Sequence, residues 1–189
     1  MRTRTAIAAV LLLGAAATAC SSGTPKTVTV TQTVTATPSS EPASDANAGV
    51  LKMGTKKTMT DAENNLHFTV QALEYQQPYK GPQPQKPEDF QGGDIWATAN
   101  VKVCNVAGAD LTVDQSVWSL SYEDGTSIEV TGSTGGDMPK PEYPMGKTVR
   151  PGRCAAGLIA YPVPSKKRPA RLVYEPQGSE PTEWAVPKA

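Results

Sequence analysis

The sequence predicts an all-β protein, a single antiparallel β-sandwich of about seven strands. Three observations predict it. Gly and Pro number 16 and 17 among 189 residues, a density that interrupts helices because Pro removes a donor and Gly weakens helix interiors. Runs with period-two apolar alternation recur from residue 51 onward, separated by turn-forming clusters at short intervals, which is the spacing of a sandwich rather than of βαβ units. Once the N-terminal leader and a polar tract are set aside, what remains is one ordinary domain with one core.

The leader comes first. Arg2 and Arg4 precede the apolar stretch from Ala6 to Ala17, the charged and hydrophobic regions of a secretory signal over residues 1–19. A bilayer-spanning helix needs about 20 apolar residues, and this run is shorter. Ala17-Thr18-Ala19-Cys20 resembles the bacterial lipobox, in which small residues precede the acylated cysteine, although Ala17 stands where Leu is usual. Cys20 is therefore the expected lipidation site, with acyl chains anchoring the mature protein at roughly 0.8 kcal/mol per buried CH₂. A plain secretory signal cut after Ala19 would instead leave Cys20 as a free thiol; either reading exports the chain.

Residues 20–50 form the linker. Its middle, Thr27 to Pro38, alternates Val28, Val30 and Val34 with Thr, but it is too poor in large apolar groups to offset its own ordering entropy. A flexible, extended stalk is expected, its Thr and Ser density compatible with glycosylation.

The sandwich is expected over 51–176. Leu66 to Tyr75 opens it, with Leu66, Phe68, Val70 and Ala72 on one face. Pro78 to Pro87 holds four prolines and excludes a central strand, because each lacks a donor; it reads as a long exposed loop. Asp94 to Asn105 is the strongest strand, with Ile95, Ala97, Ala99, Val101 and Val103 sharing a face. Trp118 to Tyr122 and Thr126 to Thr131 flank Asp124-Gly125, a hairpin signal because Gly tolerates positive φ. Val149-Arg150-Pro151-Gly152 is a further turn. Cys154 to Val163 and Arg171 to Tyr174 complete the set, and residues 177–189 form a C-terminal tail in which Trp184 is the one large apolar anchor, expected to dock on the domain.

With Cys20 given to lipid, Cys104 and Cys154 remain as an even pair in an oxidising compartment, and a disulfide is expected. A metal or redox site is the rival reading, but neither cysteine has a second Cys or a His nearby.

In this order, Gly93-Asp94-Ile95-Trp96, Ala99 to Asn105, Trp118-Ser119-Leu120 with Asp124-Gly125, Val149 to Gly152 and Ala160 to Pro164 resemble the domain of unknown function 4352. The resemblance covers Gly54 to Pro176. It implies an immunoglobulin-like sandwich, related to a secreted mycobacterial antigen and found mostly in lipoproteins of Gram-positive bacteria. The leader and stalk look actinobacterial. No activity is established for that family, so no functional residue is carried over.

Charge and motifs narrow the function. Removing Arg2 and Arg4 with the signal leaves 16 basic against 18 acidic side chains, a formal charge of −2, which offers no basic face for nucleic acid. The single histidine, His67, lies on the solvent parity of its strand without a nucleophile or orienting partner. There is no GxSxG, HExxH, phosphate-cradling loop or EF-hand, and Gly92-Gly93-Asp94 and Gly135-Gly136-Asp137 read as turns. No catalytic residue, cofactor or metal ligand is assigned, and the protein is read as a non-enzyme.

Two candidate binding surfaces remain. Tyr75, Tyr79 and Phe90 around the proline-rich loop, with Tyr143 in Pro139 to Pro144, are aromatic anchors of a kind used in protein recognition. Lys166, Lys167, Arg168 and Arg171 form a basic cluster suited to anionic headgroups or wall polymers. The expected protein is a monomeric binding module, lipid-anchored at the outer face of the cytoplasmic membrane, whose partner is another envelope or extracellular protein. Two alternatives stand beside it. A small-ligand carrier or sensor subunit needs an apolar cavity, and a wall-glycan hydrolase or transferase needs converging carboxylates.

Overall fold

A computed structural model describes residues 49–82 and 84–188. Cys20 and most of the linker lie outside the described residues, so the lipidation site and the stalk have no structural counterpart below.

Among the described residues, eleven strands form two facing sheets and a small ribbon. One sheet has the order β1-β11-β10-β6-β7, from Leu51–Lys52 (β1), Thr182–Ala185 (β11), Arg171–Tyr174 (β10), Trp118–Ser121 (β6) and Ser127–Glu129 (β7). The other has the order β2-β3-β4-β9, from Lys56–Asp61 (β2), Leu66–Gln76 (β3), Ile95–Gly108 (β4) and Cys154–Val163 (β9). Leu111–Val113 (β5) pairs with Lys147–Val149 (β8). All pairings between these strands are antiparallel except β1 with β11. The architecture is an immunoglobulin-like β-sandwich.

The core follows the apolar parity of the strands. Val70, Ala72, Ala97, Ala99, Val101, Val103 and Ile159 line the inner face of the four-stranded sheet and are buried, and Trp118, Leu120, Leu172 and Trp184 answer them from the other. Trp118 sits at the centre, its ring 4.8 Å from Tyr174, 5.9 Å from Trp184 and 6.4 Å from Tyr143.

The strand count exceeds the expected seven because β1, β2, β5, β8 and β11 are short or edge elements with little periodicity of their own. The boundary at 176 also moves. Thr182–Ala185 lies within a sheet, between β10 and β1, so the expected tail supplies a strand. Trp184 is fully buried, and its Nε1 donates to the Thr55 carbonyl at 2.8 Å.

Two local departures from regular pairing matter for the surface. A register shift between Ala72 and Glu74 reverses the parity of β3, as an extra residue in one strand must. Ala72 and Tyr75 consequently both face inward. The proline-rich segment, expected as an exposed loop, instead folds in part onto the outer face of β4. The Trp96 indole donates to the Gln85 carbonyl at 2.7 Å, the Tyr79 N–H donates to the Trp96 carbonyl at 2.8 Å, and Trp96 and Pro87 are buried.

Cys104 and Cys154 form a disulfide with Cα atoms 4.0 Å apart. They are directly paired across β4 and β9, so the bond staples neighbours within one sheet and does not bridge the two. One residue further, buried Asn105 donates from Nδ2 to the carbonyls of Ala109 and Val149 at 2.8 and 2.9 Å, tying the end of β4 to the β5–β8 ribbon.

Candidate functional site

The structure separates the two proposed surfaces residue by residue. Of the four aromatic candidates, three are not on a surface. Tyr75 is 6% exposed, Tyr79 9% and Tyr143 1%. Tyr75 enters through the β3 register shift and donates from its hydroxyl to Gln77 Oε1 at 2.8 Å. Tyr79 is held by the loop that covers Trp96. Tyr143 is drawn in because residues 141–143 lie along the edge of β9, with the Tyr143 N–H donating to the Leu158 carbonyl and the Leu158 N–H to the Pro141 carbonyl at 2.9 and 2.7 Å. Burial raises the hydroxyl pKa of Tyr75 and of Tyr143; neither phenol is poised to ionise.

Phe90 is the exception, 87% exposed. It stands on a 3₁₀ turn, Asp89–Gln91, whose entry is closed by the Glu88 N–H donating to Gln91 Oε1 at 2.8 Å. The turn stops at Gly92, with φ of 78°, a conformation that glycine adopts without steric cost. Phe90 shares a groove of about 490 Å³ with Ile128, Val130 and Pro162.

One wall of that groove is β7, the terminal strand of its sheet. The Tyr122 N–H donates to the Thr126 carbonyl at 2.9 Å, which makes Leu120 and Ile128 the next hydrogen-bonded pair. By the alternation of antiparallel ladders, the N–H and C=O of Ser127 and Glu129 then point away from β6. No described residue pairs with them. An aromatic anchor therefore stands beside an open strand edge. The position of Phe90 could be suspected from a lone aromatic in a polar turn segment; Ile128, Val130 and Pro162 carried no such signal, being ordinary apolar residues far from Phe90 in sequence.

The basic cluster is largely committed within the chain. Lys167 pairs with Asp124 and lies 4.6 Å from the ring centre of Tyr122. Arg168 stacks 5.2 Å from the ring centre of Tyr75, its Nε donating to the Pro187 carbonyl at 2.7 Å. Arg171 meets Glu183 at 2.8 Å. Lys166 alone projects without a described partner. These cations pin the β9–β10 connection to the β6–β7 hairpin and to the C-terminal segment, which corrects their reading as one open cationic surface. The Lys167 ammonium, joined by Thr126, holds the Asp124 carboxyl well below its usual range.

His67 is exposed, opposite Thr60 on β2. Among the described residues no group of three or more His, Cys, Asp or Glu side chains converges as a metal site would require. None of their helices is long and apolar enough to cross a membrane.

The geometry defines a class, a small immunoglobulin-like sandwich with an exposed phenylalanine beside an open strand edge. The chain belongs to the family described as Domain of unknown function (DUF4352), whose match runs over residues 56–183. MPT63, a secreted protein of Mycobacterium tuberculosis solved at 1.5 Å, is similar in fold, with 21% identity and a TM-score of 0.55 over 71% of this chain and 94% of that one. The yjhA protein of Bacillus subtilis aligns at 15% identity and a TM-score of 0.47, over 73% of this chain and all of that one. No curated protein matches the chain.

Proposed function

We propose that this protein is a lipid-anchored, extracytoplasmic interaction module that binds another envelope or extracellular protein through the face around Phe90. The observation that carries the reading is the placement of a phenylalanine, 87% exposed, on a hydrogen-bonded turn. Leaving a large ring in water forfeits roughly 1.5–3 kcal/mol of burial, and rigid aromatic groups make interface anchors because little conformational entropy is lost when they dock.

The leader and Cys20 support export and anchoring. The Cys104–Cys154 disulfide suits an oxidising compartment, and the fold is similar to that of a secreted protein. A stalk of thirty residues, at ~3.3 Å each when extended, would carry the domain up to roughly 100 Å from a membrane.

The test is site-specific photocrosslinking in intact cells of the native host. A photoreactive phenylalanine analogue at position 90, and another at Ser127, should each trap the same protein, while one at Thr58 on the opposite sheet edge should not. Equal trapping from all three positions, or none from position 90, would remove the Phe90 face as the interface.

A further inference from the structure

A second feature lies at the other end of the sandwich, where β2 and β3 meet the β5–β8 ribbon and the end of β10. A cavity of about 170 Å³ opens there, similar in size to the apolar cavity of about 150 Å³ that accommodates benzene in an engineered protein. Its aromatic wall is Phe68, Tyr143 and Tyr174, and both tyrosine rings are braced from behind by Trp118. Among the described residues, charge enters from two side chains, Asp61 and Asp114, and no Lys, Arg or His contributes to the lining.

The two carboxylates are fixed in place. Asp61 accepts from the Asn64 N–H and Nδ2 at 3.0 and 2.7 Å, and Asp114 accepts from the N–H groups of Ser116 and Gly146 at 2.8 and 2.7 Å. These hydrogen bonds lower both pKa values, by Asn64 chiefly for Asp61 and by Ser116 chiefly for Asp114, so both groups are anionic at neutral pH. Burial raises the Tyr174 hydroxyl to about 12, so its ring stays a neutral phenol.

Aromatic faces carry negative quadrupole density and attract cations, and rings grouped around a pocket are a recurring means of recognising alkylated ammonium. The two carboxylates, hydrogen-bonded at the opening, give the cavity a negative potential that favours a cation over an anion. We propose that this cavity binds a compact organic ammonium ion, with Phe68, Tyr143 and Tyr174 contacting its alkyl groups and Asp61 and Asp114 balancing its charge. The site is separate from the Phe90 face and stands whether or not that face binds a protein.

The experiment titrates the full mature chain with choline and, in parallel, with its neutral isostere in which carbon replaces the quaternary nitrogen. Binding is read by calorimetry and by the methyl resonances of Leu66 and Val113. Choline should bind about tenfold more tightly than the isostere, the ratio that cation–π attraction plus a nearby carboxylate supplies. Asp61→Asn keeps an oxygen to accept from Asn64 and lies at the rim, so folding is retained; it should weaken choline several-fold and leave the isostere unchanged. Equal affinity for the two compounds, no shift of either methyl with choline, or an Asp61→Asn chain that binds choline as its parent does would each overturn the assignment.

Discussion

Cys104 and Cys154 face one another across β4 and β9 on the outer side of the four-stranded sheet, with Cys154 exposed and Cys104 half-buried. The bond closes a loop with a separation of 50 residues, and in the chain-entropy account such a closure stabilises the folded state by about 4 kcal/mol. A Cys104→Ser, Cys154→Ser double variant should unfold at lower urea by that amount. Because Cys154 is open to solvent, reductant should bring the native protein to the same curve. A midpoint unchanged by either treatment would show that the sheet needs no staple.

Trp184 contributes packing that the rest of the core cannot replace. It is fully buried, stacks on Trp118 and satisfies its indole on Thr55. Trp184→Ala should cost about 3–5 kcal/mol in a denaturation experiment. A chain ending at residue 176 should lose the cooperative transition altogether, since β10 and β1 both lose their neighbour.

Gly157 is a contact prediction. A Cβ there would stand 2.5 Å from the Glu142 carbonyl carbon and the Tyr143 nitrogen. Gly157→Ala should push residues 141–143 off the edge of β9, breaking the two hydrogen bonds to Leu158, and lower stability by about 1–3 kcal/mol. Amide exchange at Leu158 and Tyr143 should speed up relative to exchange at Val101, deep in β4.

Acid should loosen the hairpin and turn around Lys167. The Asp124 carboxyl is held down by Lys167 and Thr126, and the Asp94 carboxyl by Ser165. Folded values below the unfolded value mean stability that is present above pH about 4 and fades as pH falls through the folded values. Both groups are solvent-exposed, so the effect is small and salt-screened. Asp124→Asn should flatten this part of the acid limb, and carbon-detected titration of Asp124 should show a midpoint below the ordinary carboxylate range. A midpoint in the ordinary carboxylate range would remove the Lys167 contact in solution.

The anchor has its own test. Intact mass of the native protein should show a diacylglyceryl group on Cys20 and partition into detergent, and Cys20→Ser should lose both. An unmodified, water-soluble native chain would make the protein freely secreted and move the search for its partner outside the cell.

How far the sequence reading reached depended on how local the signal was. Leu66 to Tyr75, Cys154 to Val163 and Arg171 to Tyr174 matched the observed strands to within a residue, because each carries period-two alternation or a dense apolar run bounded by turn-formers. The Asp124-Gly125 turn was equally legible, its φ requirement met by Gly125 at 80°. Residues 182–185 offered no such pattern. They become a strand only because β10 and β1 present edges and Trp184 has a place in the core.

The candidate surfaces show the same limit more sharply. Tyr75 and Phe90 are alike in sequence, aromatic residues flanking a proline-rich run. One is buried because a register shift turns β3 by one residue; the other is exposed because its turn leaves the sheet. The basic run from Lys166 to Arg171 looked open because Asp124, Tyr75 and Glu183, which engage it, are distant along the chain.

What the amino-acid sequence by itself determined was the class of fold and the pairing of the two domain cysteines. Those follow from composition and period, which are properties of short stretches or of the whole chain. Which aromatic ring meets solvent, which cations are already paired, and that Phe68, Tyr143, Tyr174, Asp61 and Asp114 share one cavity were decided only by the tertiary structure. Such placements depend on strand register and sheet order, and a shift of one residue in register exchanges the inner face for the outer.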